Sequence, residues 1–99
     1  MIEKKFTPKR TVCKVTFKLP EEKAQKHVAL VGDFNGWDKN AVKLEKKDDS
    51  WQTTLRLKPK SEVRFRYFID DERWENDDHA DEFIPNAFGT QDSVLRVED

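Results

Sequence analysis

The chain has 99 residues, enough for one domain, and its 35% hydrophobic content allows only a modest core. Charged residues make up 39%, but 19 basic and 20 acidic side chains leave a formal net charge of −1. No whole-molecule field therefore favours nucleic acid or an anionic membrane, and no stretch approaches transmembrane length.

Met1–Lys5 has no apolar run after it, so no signal peptide is expected. Residues 1–8 read as a loose tail before a single domain over residues 9–99. From Arg10 to Leu19, Cys13, Val15, Phe17 and Leu19 alternate with Lys14, Thr16 and Lys18. That is a half-buried strand, and Pro20 ends it. Cys13 is the only cysteine, so no intramolecular disulfide forms. It reads as a small buried hydrophobe, and a reducing cytoplasm is the expected compartment. Glu21–Lys26 is too short for a stable helix and reads as a turn or a single helical turn. His27–Val31 is a second strand, and His27 receives no role.

Val42 and Leu44 mark a short third strand, and residues 46–50 a hairpin loop. Trp51, Thr53, Leu55 and Leu57 then alternate with polar residues, which places Trp51 in strand packing. After a turn at Lys58–Ser61, Val63, Phe65, Tyr67 and Ile69 alternate with Arg64, Arg66 and Phe68. Residues 70–73 turn the chain into a short strand at Trp74. A long polar loop follows from Glu75 to about Phe83, and a last strand lies near Ser93–Val97. Asp77–Glu82 lacks the spacing of a calcium loop, and one histidine makes a poor zinc site, so this acidic run reads as solvated loop and no metal is expected. Together these features predict an all-β sandwich of roughly six to eight short, mainly antiparallel strands.

The strand at Val28–Val31 leads into Gly32-Asp33-Phe34-Asn35-Gly36-Trp37. Gly and Asn suit such a turn because they tolerate unusual backbone angles. The turn holds Trp37 on a loop, and Trp74 lies in a second polar setting, Arg73-Trp74-Glu75-Asn76. Two loop tryptophans on a small β domain suggest a stacking platform for a flat or ring-shaped ligand.

The Gly32–Trp37 segment resembles the Gly-x-Phe-Asn-x-Trp signature of the family 48 carbohydrate-binding modules. That family includes the glycogen-binding domain of the AMP-activated protein kinase β subunit and the N-terminal early-set domains of isoamylases. Phe65–Asp70, Trp74, Pro85–Thr90 and Ser93–Val97 resemble further motifs of the family, in order, so the likeness runs from about Cys13 to Val97. The resemblance implies an immunoglobulin-like early-set fold and non-catalytic binding of α-1,4-glucans. It implies Trp37 and Trp74 as the stacking pair, with Arg66, Phe88, Thr90 and Asp92 around them. Three of these six depart from the family pattern: Arg66 stands for a Lys, Phe88 for a Leu and Asp92 for an Asn. An ionised Asp92 accepts hydrogen bonds but cannot donate them, and Arg66 is expected close enough to pair with it. Neither a cofactor nor catalysis is implied. The alternative is a protein-docking module serving a glucan-metabolising enzyme in trans, with little sugar binding.

Overall fold

The computed structural model describes residues 2–98. Among the described residues, nine strands run β1 Ile2–Phe6, β2 Cys13–Pro20, β3 Val28–Gly32, β4 Glu45–Lys47, β5 Ser50–Leu57, β6 Glu62–Ile69, β7 Arg73–Glu75, β8 Glu82–Pro85 and β9 Gln91–Arg96. They form two antiparallel sheets packed as an immunoglobulin-like sandwich. One has the order β1-β2-β5-β4; the other has β3-β6-β9-β8, with β7 also on β6. Single 3-10 turns occupy Glu21–Lys23 and Asp33–Asn35.

The alternating residues explain the sandwich. Cys13, Val15 and Phe17 of β2 and Phe65, Tyr67 and Ile69 of β6 are completely buried and face one another between the sheets. Phe17 meets Phe65 edge-to-face at 5.1 Å, and Phe65 meets Tyr67 at 5.7 Å. Such aromatic pairs add to the stabilisation from area alone. Trp51 is buried in the same core, as its alternating strand predicts.

Three expectations change. Residues 2–6, expected in the loose tail, pair with β2 from Ile2–Phe17 to Phe6–Cys13. Lys4 falls on the inward row of this edge strand, where its ammonium donates to Asp81 at 3.0 Å and to the Arg96 carbonyl at 2.8 Å. Val42 and Leu44 form no strand. Their segment lies along β3, with bonds from Leu30 N–H to the Val42 carbonyl and from Leu44 N–H to the Val28 carbonyl, before crossing to β4 in the other sheet. The polar loop after Glu75 is shorter than expected because Glu82–Pro85 is a strand, and Asp77 within it is buried.

Asp77 anchors that loop to the core. The Tyr67 hydroxyl donates to Asp77 at 2.7 Å, and the Asp77 N–H donates to Ser93 Oγ at 3.1 Å. Burial and the neighbouring carboxylate push the Tyr67 phenol far above its ordinary value, so it stays a donor. Tyr67→Phe removes the hydroxyl and should cost about 1–3 kcal/mol in urea unfolding, the usual range for breaking a buried hydrogen bond.

Asp70 secures the end of β6, immediately after Ile69. Its carboxylate accepts the N–H groups of Gln25, Lys26 and His27 at 2.7–3.1 Å. These bonds, led by Gln25 and Lys26, lower its pKa below the ordinary 3.8. A lowered folded-state pKa gives stabilisation that is present above the unfolded value and lost as pH falls through the folded one. Asp70→Asn should therefore lower Tm at neutral pH, with the gap to wild type closing as pH drops below 3.8. Thermal melts across an acid series check this.

Candidate functional site

The site lies on the outer face of the second sheet, where register puts Arg64, Arg66 and Phe68 of β6. One edge of β6 pairs with β3 from Phe65 to Ile69. The other edge is divided: β9 pairs with Glu62–Phe65 and β7 with Tyr67–Ile69. Arg66 stands at the division. Its guanidinium lies 5.3 Å from the Trp74 ring, and it donates to Thr90 Oγ1 at 3.4 Å. Phe68 sits opposite Trp74 in the ladder and supports it, with ring centroids 4.6 Å apart.

The turn after β3 forms the first wall. Gly32 passes so close to β6 that a Cβ there would lie 2.3 Å from the Arg64 carbonyl oxygen. The Asp33 carboxylate then accepts the Arg64 N–H at 3.1 Å. Asn35 folds back, accepting the Gly32 N–H at 3.1 Å and donating to the Leu30 carbonyl at 3.1 Å. Gly36 and Trp37 follow in left-handed conformation, φ 67° and 61°, and the Trp37 N–H donates to the Gly32 carbonyl at 2.8 Å. That region suits glycine but strains a tryptophan. A strained bulky residue locked by its surroundings is a feature that clusters at binding sites.

The loop between β8 and β9 forms the other wall. Asn86 Oδ1 accepts the N–H groups of Phe88 at 2.9 Å and Thr90 at 3.3 Å, and Asn86 Nδ2 donates to Asp92 Oδ1 at 2.9 Å. Gly89, at φ 80°, makes the reversal that glycine accommodates. The loop lifts Phe88 clear of the domain, leaving it 88% exposed.

All six residues singled out in the sequence, Trp37, Arg66, Trp74, Phe88, Thr90 and Asp92, line one groove of about 700 Å³, a volume in the range of small-ligand sites. Lys39 and Asn86 line it too. Asn86 carried a readable signal, because an Asn two residues before Phe88 suits an Asx turn. Lys39 carried none. The expected Arg66–Asp92 pair is replaced: Asp92 is buried and meets Arg64 at 3.3 Å. Continuing the register would set Arg66 against Asp92, but the β6–β9 ladder stops at Phe65–Ser93.

Residues 8–99 match the family described as the glycogen recognition site of AMP-activated protein kinase. The chain belongs to this family of carbohydrate-binding modules. No curated protein matches it significantly. Among solved structures, a maltogenic amylase from S. marinus superposes with a TM-score of 0.73 at 20% identity, over 100% of this chain and 16% of that one. At that identity the likeness bears on the fold.

Gly32→Ala tests how the Trp37 wall is built. The added methyl group meets backbone, so the variant should lose about 1–3 kcal/mol in urea unfolding, as overpacked buried sites do.

Proposed function

We propose that this module binds α-1,4-glucans such as glycogen or maltooligosaccharides in the groove, without acting on them chemically. One observation carries the reading: three large aromatic side chains, Trp37, Trp74 and Phe88, stay 40%, 37% and 88% exposed around a single groove with a polar rim. Pyranose rings have apolar C–H faces and polar edges. Exposed indole and phenyl faces match the former, while Arg66 and Thr90 offer hydrogen bonds to the latter. Asp92 acts from beneath, because its carboxylate is buried against Arg64 and Asn86. Membership of a glycogen-recognition family supports the same ligand class.

An open groove of this kind suits a Kd of roughly 10 µM to 1 mM. NMR titration with maltoheptaose and β-cyclodextrin should shift the indole signals of Trp37 and Trp74, while cellohexaose should leave them unmoved. Trp37→Asn, which suits the left-handed backbone, and Trp74→Ala should each weaken binding about tenfold or more, the scale of a lost central aromatic contact. Phe83→Ala, an exposed aromatic outside the groove, should bind like wild type. Full binding by both tryptophan variants would place the site elsewhere.

A further inference from the structure

We infer that the groove prefers α-glucans carrying a phosphate monoester to neutral ones. The inference rests on the glucan-binding reading and adds a charge to its ligand. Lys39 and Arg66 are the two cations lining the groove, and neither makes an ion pair among the described residues. The Lys39 ammonium lies 4.7 Å from the Phe68 ring and 5.5 Å from the Trp74 ring. Arg66 lies over Trp74 and makes one long bond to Thr90. Aromatic contact positions a cation but leaves its full charge in place.

The neighbouring anions are engaged elsewhere. Asp92 meets Arg64 and Asn86, Glu75 lies against Lys23 and Arg73, and Asp38 accepts the Asn40 N–H. Two cations without an ion pair among the described residues thus converge beside Trp74, on a surface otherwise suited to a sugar ring. A guanidinium and an ammonium together match a phosphate, the first through its planar fork and the second as a point charge. A neutral glucan satisfies only the aromatic faces and hydroxyl partners.

The test is calorimetric titration with β-cyclodextrin, phosphorylated β-cyclodextrin and inorganic phosphate alone. At low ionic strength the phosphorylated ring should bind about tenfold tighter than the neutral one, as expected of two partly exposed charge pairs. Added salt should shrink that ratio. Lys39→Gln should bring it close to one and Lys39→Arg should restore it, with amide spectra confirming that both variants are folded. Equal affinity of the two rings would overturn the preference and leave the glucan-binding reading intact. Inorganic phosphate binding as tightly as the phosphorylated ring would also overturn it, by showing anion capture without the sugar. Binding of neither ring would sink both readings together.

Discussion

The alternation of β6 is the constraint on which the rest of the structure depends. Val63, Phe65, Tyr67 and Ile69 face inward, and Arg64, Arg66 and Phe68 face outward. One set builds the core and the other floors the groove. Because strand side chains repeat every two residues, a slip of one position would drive arginines into the sandwich and expose four apolar side chains. Core packing therefore fixes the register of the site. Asp70 at one end and the Tyr67–Asp77 bond partway along hold that register against the turns on either side.

The division in the edge of β6 has a second consequence. A continuous ladder would have placed one long neighbour beside Arg66. Instead β7 delivers Trp74 from one direction, and the loop into β9 and its start deliver Thr90 and Asp92 from the other. The two walls are then fastened by asparagine side chains that accept backbone N–H groups, Asn35 in one loop and Asn86 in the other. Ordering these loops beforehand spares a ligand that entropic cost, which matters for an open site with few contacts.

Much of the molecule was legible because its main strands are two-faced. Cys13 to Leu19 and Val63 to Ile69 alternate cleanly, and the Gly32–Trp37 turn uses residues suited to unusual backbone angles. Two of the edge strands, β1 and β8, were hidden by the devices that protect edges. In β1 a lysine occupies the inward row between Ile2 and Phe6, so period two is masked. In β8 a proline closes a strand of four residues, and proline is tolerated only at such edges. At the site, the aromatic and motif residues were readable. Lys39 and the Arg64–Asp92 pair were not, because both depend on where chain segments meet in space.

The Arg64–Asp92 pair bears on the departures from the family pattern. Read as a local change, an acid in place of an asparagine at Asp92 removes donors from the rim of the groove. In the fold its carboxylate is buried, with one oxygen facing Arg64 and the other accepting from Asn86. An asparagine would offer Arg64 only a neutral carbonyl, leaving a half-buried guanidinium without its anion, which is costly. Its own amide nitrogen would also face the Asn86 amide nitrogen, donor against donor, where Asp92 now accepts. Asp92 thus holds Arg64 on one side and the Phe88 loop, through Asn86, on the other. With Asp92 occupied, Arg66 is left over Trp74 rather than drawn into a pair. The negative charge of Asp92 is thus buried under the groove, while the positive charge of Arg66 remains at its surface.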